Sequence, residues 1–379
     1  MKILFVLGTR PEAIKLAPLI LVAHSTPGVK AVVCNTGQHR EMSSSALALF
    51  DIQADIDLDI MRARQTLGDI TRGVLAALPT HLEQVKPDWL VAQGDTTTTF
   101  AASLAAFYQK IPVAHVEAGL RTGNFFSPWP EEMNRHLVSK LASLHFPPTP
   151  SAASNLFSEG IQPVDVVITG NTGIDALKWL VKRLNEDKGL QDQAGVEQAA
   201  AGIPHGSISG QRPYVLITAH RRESFGSGFE SICDAISELA VLFPDRDFIY
   251  PVHPNPAVRD TVFGRLSSDT HPNVFLVEPV GYLAFVDLMA RAELIMTDSG
   301  GVQEEAPSLG KRVIVMRDST ERTEGLETPY IRLTGSNRQE IVTQSRAALS
   351  GTWLKPQNSS DIYGDGLASQ RILDAILAR

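Results

Sequence analysis

Apolar residues along this chain fall into two alternating patterns. Short unbroken runs rich in Val, Ile and Leu cover residues 3–173: "ILFVLG", "AVVCNTG", "WLVAQGD", "IPVAHVEAG", "LHFPPTP" and "VVITGNTG". A second set covers 214–335: "YVLITAHR", "FIYPVHP", "VFLVEPVG", "LIMTDSGG", "RVIVMRD" and "YIRLTG". Between them lie stretches such as 66–85, 97–109 and 229–242, whose apolar positions recur at helical spacing. Unbroken apolar runs are what parallel strands look like when both faces of the sheet are covered. Run, helix and run again make βαβ units with right-handed crossovers, and hence doubly wound sheets. The rhythm lapses once, at "KGLQDQAGVEQAAAGIPHGSISGQR" (188–212), which is poor in large apolar residues and reads as a connection or exposed loop. After "KPQNSSD" the tail from about Tyr363 carries one more amphipathic helix.

The expected architecture is α/β, with two Rossmann-like doubly wound domains facing a central cleft. A length of 379 residues suits two domains of ordinary size. The formal charge of −8 argues against a general nucleic-acid or membrane-surface binder, which needs a basic excess. Cys34 and Cys233 are far apart and in no CxxC pair, so they read as small buried residues. The chain shows no charged-then-apolar leader and no long apolar stretch, and the expectation is a cytoplasmic protein.

In open α/β sheets ligands bind beyond the carboxyl ends of the strands. Arg10, Gln38, His39, Asp95, Glu117, His220, His253, Asp298 and Ser299 all follow apolar runs directly. "GTRPEAIKLAPL" stands where a first phosphate loop would be, yet it matches neither GxxxxGK[ST] nor GxGxxG. Pro11 and Glu12 mark a helix start there. Arg10 and Lys15 beside that helix end suit a diphosphate, and pairing with surface carboxylates is the alternative. In "LIMTDSGGVQEEAPSLG" an apolar run leads through Ser299, Gly300 and Gly301 into a helix, a ready anion site. Glu305, one turn on, is placed to accept from ribose hydroxyls, whereas Glu304 is explained by the helix dipole. His220, Arg221 and Arg222 form a cationic turn, and Arg317 and Arg322 add two more cations after a later run. Each also has a reading as a salt-bridged surface turn.

The acids come from the first half. Asp95 closes "VAQGD", Glu117 closes "HVEAG", and Glu131 and Glu132 open a helix after Pro130. Asp95 reads equally as a cap, and Glu131 and Glu132 as dipole partners. A glutamate ending a buried Val-rich run is costly unless it is used. Acids from three separate loops facing one cleft would suit proton transfer or stabilisation of a cationic sugar. No close His or Cys ligand pair suggests a metal, no DxD motif supports Mg²⁺, and the missing GxGxxG speaks against a nicotinamide.

"GTRPEAIKLAPL", "TGQHREM", "QGDTTT", "HVEAGLRTG", "SPWPEEMNRH", "GNTGIDAL", "TAHRRESFG", "PVHPNP" and "TDSGGVQEEAPSLGK" together resemble the bacterial non-hydrolysing UDP-N-acetylglucosamine 2-epimerases, in order from residue 3 to about 325. The resemblance implies the two-domain GT-B type of fold, also seen in glycogen phosphorylase. It implies residues 1–170 with 362–379 as the first domain, the last helix packing back, and 171–361 as a UDP-binding second domain. It implies a homodimer that needs no cofactor, neither NAD nor metal, and interconverts UDP-GlcNAc and UDP-ManNAc by eliminating and re-adding UDP through 2-acetamidoglucal. Asp95, Glu117, Glu131 and His220 are then the catalytic candidates. Arg10, Lys15, His220, Ser299, Gly300, Gly301 and Arg322 would hold the diphosphate and sugar, Glu305 the ribose, and Phe285 the uracil. Gln38, His39 and Arg64 would form an allosteric UDP-GlcNAc site. The chain departs from the family pattern at Val280, Gly281, Ser224 and Glu41. Another nucleotide-sugar epimerase, a glycosyltransferase and a non-catalytic sugar-nucleotide binder are the rival readings.

Overall fold

The computed structural model describes residues 1–62, 64–221, 225–266, 271–320 and 322–379. They form two compact units, Met1–Trp179 with Tyr363–Arg379, and Leu180–Ile362. Among the described residues no helix is long and apolar enough to cross a membrane.

The first unit begins with β1 (Lys2–Leu7), α1 (Arg10–Ser25), β2 (Lys30–Asn35) and α2 (Arg40–Ala48). It continues with β3 (Ile56–Asp57), α3 (Leu67–Val85), β4 (Trp89–Gln93) and α4 (Thr97–Tyr108). β5 (Val113–Val116), α5 (Glu131–Leu141), β6 (Leu144–Phe146) and α6 (Pro150–Ser158) complete the sheet and its cover. α7 (Thr172–Glu186) runs across the boundary between the units. The strands are parallel, in the order β3-β2-β1-β4-β5-β6. Leu4, Val6, Leu90, Ala92 and Val113 of the sheet pack on Val74, Leu78, Ala102 and Ala105 of α3 and α4. β1 and β4 are neighbours wound in opposite directions, so the turns that follow them flank a topological switch point.

The second unit opens with α8 (Lys188–Ala200), α9 (His205–Ile208), β7 (Tyr214–Thr218) and α10 (Ser227–Leu242). β8 (Asp247–Pro251), α11 (Pro256–Arg265), β9 (Val274–Val277) and α12 (Tyr282–Arg291) follow. Then come β10 (Leu294–Thr297), α13 (Gly300–Ser308), β11 (Val313–Val315) and α14 (Thr323–Leu326). β12 (Ile331–Leu333) and α15 (Arg338–Leu349) close it. The parallel order β12-β11-β10-β7-β8-β9 repeats the winding of the first sheet, with the switch point between β7 and β10. Its core gathers Val215, Ile217, Phe248, Tyr250 and Met296 against Phe229, Ile232 and Ile236 of α10.

α16 (Ala368–Leu377) belongs to the first unit, where it packs on α1 and buries Ile372, Leu373 and Ile376. Its first amides, those of Ala368 and Ser369, donate to the Asp175 carboxylate of α7 at 3.2 and 2.7 Å. Helix-start amides lack intrahelical partners, so a carboxylate from another element serves as the cap.

Two sequence expectations need correction. Residues 188–212 are not an exposed loop, since they hold α8 and α9. Their Ala and Gln are strong helix formers, and Ala194 and Gln198 are buried. Gln198 donates inward: its Nε2 reaches the Ala284 carbonyl at 3.1 Å and Asp287 Oδ2 at 2.7 Å on α12. "VVITGNTG" makes an isolated bridge, His145 to Val166, and no strand. The sixth strand of that sheet is β3, two residues long and invisible to periodicity.

Candidate active site

In the first unit the polar residues gather on the turns after β1, β4 and β5. Gly8 leaves β1 under tight constraint: a Cβ there would lie 2.3 Å from Thr36 Oγ1 and 2.6 Å from Thr98 Oγ1. The amides a phosphate loop would offer are engaged internally. Gly8 N–H, Thr9 N–H and the Thr9 hydroxyl donate to Glu12 Oε2 at 2.8, 2.7 and 3.0 Å. The other oxygen of Glu12 accepts from the hydroxyls of Thr96 and Thr99, at 2.5 and 3.0 Å. Burial raises the pKa of Glu12, and the hydrogen bonds from Thr96, Gly8, Thr9 and Thr99 oppose the rise. Arg10, the first residue of α1, is exposed and pairs with no carboxylate among the described residues.

Lys15 lies one turn into α1, with its Nζ 2.5 Å from Glu117 Oε2. Gln93, the last residue of β4, donates to the same oxygen at 2.9 Å. Glu117 has φ +63, a left-handed backbone unusual for a residue with a side chain. Asp95 is gripped by Arg135 of α5, whose Nε and second terminal nitrogen lie 2.9 and 2.8 Å from Asp95 Oδ2. The remaining terminal nitrogen of Arg135 donates to Glu132 Oε2 at 3.0 Å. Glu132 is fully buried and takes the Thr122 and Gly123 amides at 2.9 and 3.0 Å. Burial opposes its charge, but those amides and Arg135 outweigh it and hold the carboxyl below its ordinary range. Glu131 is half-buried, and its Oε2 has no hydrogen-bond partner among the described residues.

The proposed effector residues lie on the neighbouring β2 side. Gln38 Oε1 accepts from the Thr98 hydroxyl at 2.8 Å, and the His39 amide donates to the Gly8 carbonyl at 2.8 Å. The His39 and Arg64 side chains are exposed, and Arg64 has φ +58.

In the second unit the switch point is organised by Asp298. This residue is fully buried, and its Oδ2 receives the His220 and Arg221 amides, both at 2.7 Å. Its Oδ1 lies 3.4 Å from His220 Nδ1, and the His220 ring stacks on His253 with centroids 5.4 Å apart. Burial lowers the His220 pKa; Asp298 pulls it upward, while Arg221 and His253 push it down further. The imidazole is therefore neutral at pH 7. Beside it, Ser299 precedes α13 without capping it, so the helix start offers backbone amides. The Arg322 guanidinium lies directly over Gly300, where a Cβ would meet its Cζ at 2.8 Å. Arg322 Nε donates to Glu304 Oε1 at 2.8 Å, so Glu304 aims a cation and is more than a partner of the helix dipole. Gly301 is exposed, Glu305 half-buried on α13, and Phe285 half-buried in the first turn of α12. Arg317 is buried, while Arg222 and Ser224 lie outside the described residues.

Sequence reasoning passed over Glu12, Gln93, Glu132 and Arg135, and saw Asp298 without its role. For Glu12 and Glu132 the available signal was an acid in the first turn of a helix that follows a core strand; Gln93 and Arg135 carried none.

Two sheets wound alike, each with charged side chains collected at its switch point, define a nucleotide-binding type of α/β protein. The sequence model of the family "UDP-N-acetylglucosamine 2-epimerase" matches residues 22–377. A probable UDP-N-acetylglucosamine 2-epimerase of Ralstonia solanacearum is 48% identical over 379 residues, 100% of this chain and 99% of that one. The UDP-N-acetylglucosamine 2-epimerase of Escherichia coli K12 is 48% identical over 378 residues, 99% of this chain and 98% of its own. Among solved structures, the Neisseria meningitidis UDP-GlcNAc 2-epimerase bound to UDP-GlcNAc aligns over 100% of both chains, with a TM-score of 0.88 and 47% identity. The Methanocaldococcus jannaschii enzyme in complex with UDP-GlcNAc and UDP aligns over 100% of both chains, with a TM-score of 0.78 and 33% identity. The chain belongs to the UDP-N-acetylglucosamine 2-epimerase family, of the non-hydrolysing type.

Proposed function

We propose that this chain is an isomerase that interconverts UDP-GlcNAc and UDP-ManNAc, supplying ManNAc units for bacterial surface polysaccharide. The observation that carries the reading is a division of charge within a chain of this family. The first unit presents Glu117 and Asp95 at its strand ends, held by Lys15 and Arg135, whereas in the second unit Asp298 is spent on the His220 and Arg221 amides and leaves a histidine, Arg322 and open helix amides.

The C2 proton of the sugar is weakly acidic, so its loss must be accompanied by breaking of the C1–O bond. UDP leaves with that electron pair, C1 gains positive character, and 2-acetamidoglucal forms once the C2 proton has passed to a base. Return of the UDP oxygen to C1, with a proton delivered to the opposite face of C2, completes the epimerisation. In this scheme the α13 amides, Ser299, Gly300, Gly301, Arg322 and His220 hold the departing pyrophosphate, with Arg10 and Lys15 as further cations. Glu305 holds the ribose and Phe285 lies against the uracil. Asp95, Glu117 and Glu131 supply the acid and base groups and face the positive charge at C1. Arg135 aims the Asp95 carboxylate, and Lys15 with Gln93 holds that of Glu117. The working form is a cytoplasmic homodimer, and Gln38, His39 and Arg64 take a second UDP-GlcNAc as activator.

Proton NMR in D₂O tests the reading. Pure protein with UDP-GlcNAc should give an equilibrium mixture with UDP-ManNAc, with deuterium at C2 of both. Release of free ManNAc, turnover that needs an acceptor sugar, or binding without exchange would each select a rival function.

A further inference from the structure

Among the described residues, Glu12 is a buried carboxylate that directly touches two of the loops carrying catalytic candidates without belonging to either candidate set. Glu12 is 2% exposed and accepts from donors on both sides. On one side are Gly8 N–H, Thr9 N–H and the Thr9 hydroxyl, in the turn that leads to Arg10 and Lys15. On the other are the hydroxyls of Thr96 and Thr99, directly after Asp95. The Thr99 hydroxyl also lies 2.7 Å from the carbonyl of Gln93, whose side chain holds Glu117.

We infer that Glu12 is a positioning residue for the epimerisation: an internal acceptor that occupies the amides of the β1 turn and ties that turn to the Asp95 loop. Two consequences follow from its contacts. The β1 turn does not bind pyrophosphate through its amides, since both are spent on Glu12, so this end of the substrate meets side-chain cations alone. The distance between the Lys15–Glu117 pair and Asp95 is also set by one side chain spanning two loops that are 84 residues apart in sequence. A carboxylate suits this work because it only accepts: the two amides and the Thr9 and Thr96 hydroxyls donate to it, while the single Thr99 hydrogen is shared between it and the Gln93 carbonyl. Gln fits as well if its carbonyl faces the two amides and its amide faces the threonine hydroxyls, which are able to reverse and accept. An apolar isostere leaves both amides without partners and cuts the tie.

The kinetic side of this assignment rests on the epimerase reading, so the test has an arm that needs no substrate. Glu12→Leu should raise amide hydrogen exchange in residues 94–99 as well as in 8–12, measured by mass spectrometry on the full chain, and Glu12→Gln should not. In the NMR assay Glu12→Leu and Thr96→Ala should lower kcat, the former by ~10²-fold, as misplacement of catalytic groups by an ångström does. KM should stay within about three-fold, because ligand affinity resides mainly in the second unit, and Glu12→Gln and Thr96→Ser should recover most of the rate. Faster exchange confined to 8–12, a rise in KM at constant kcat, or wild-type kinetics in Glu12→Leu would overturn the assignment. Failure of Glu12→Leu to fold, with wild-type kcat in Thr96→Ala, would also overturn it and leave Glu12 a purely structural cap. An inactive wild type would sink the epimerase reading instead, leaving the exchange arm to decide on the tie.

Discussion

Glu117 holds a left-handed backbone that costs a residue with a Cβ ~1–3 kcal/mol, and such strain persists where the surroundings over-determine it. Here Lys15 and Gln93 do so from two different elements, and both address the same carboxylate oxygen. Glu117→Gln keeps the shape and removes the charge; turnover should fall by ~10²–10⁴-fold if the group transfers a proton, and an unchanged rate would remove it from that role. A second prediction concerns His115 and His145, register partners on β5 and β6. Burial pushes both imidazoles down to about 4. The folded state thus holds them neutral while the unfolded chain protonates near pH 6.5. Their share of stability is present in full above pH 6.5 and is lost as pH falls toward 4, at up to ~1.4 kcal/mol per pH unit for each. Urea midpoints at pH 7 and pH 5 should therefore differ, and the double change His115→Gln with His145→Gln should flatten the difference. At this scale the sequence displayed which side chains were polar at strand ends, including Asp95, Glu117 and His220. It did not display partners. Glu12 and Glu132 looked like first-turn acids because a local cap and a long-range clamp share the same sequence signature, and only folding brings Thr96 or Thr122 to them.

Helices α3, α4, α6, α8, α11 and α15 are closed by their own N-cap side chains, whereas two others are completed by groups from other elements. α16 takes its cap from Asp175 on α7, and the Gly281 amide at the start of α12 donates to Glu197 on α8. Replacing Asp175 by Ala should cost about 1–2 kcal/mol in urea unfolding, the loss of a cap at a buried site, with little change in kcat. An effect within error would mean that the α16 amides find another partner. The Glu197 contact also bears on position 281, where a Cβ would stand 2.6 Å from Glu197 Oε1, so Gly281 and α8 fit one another. Most elements were legible from periodicity because the buried runs are long and the helices amphipathic. β3 escaped because two residues carry no period, and α8 because its buried face presents Ala194 and the hydrogen-bonded Gln198 rather than Leu or Ile. Both gain their place from packing, a term that propensity does not contain.

The chain as a whole uses the same winding twice, with separate cores. A ligand that binds only the folded second unit stabilises it by mass action, ~2.7 kcal/mol at a hundred times Kd. UDP alone should therefore raise the melting temperature of the wild type. Arg322→Ala should lose most of that rise while Glu117→Gln keeps it, and equal shifts in all three proteins would place UDP elsewhere. The alternation of runs and helices made the two-sheet plan readable from end to end, since it depends on hydrophobicity and chain order. The grouping of charges into an acidic set and a cationic set was readable only as residues waiting for partners.

Thr9 and Ser299 each stand before a helix at a switch point, and the third helical residue is Glu12 in one case and Val302 in the other. The acid closes the Gly8 and Thr9 amides of the first turn, whereas before α13 the Asp298 and Ser299 amides go to the Thr218 carbonyl and the Thr297 hydroxyl, and no carboxylate reaches back from the helix's third residue. A carboxylate written in there, as Val302→Glu, would stand as a tethered rival to the phosphate that the proposed function assigns to the Gly300 and Gly301 amides.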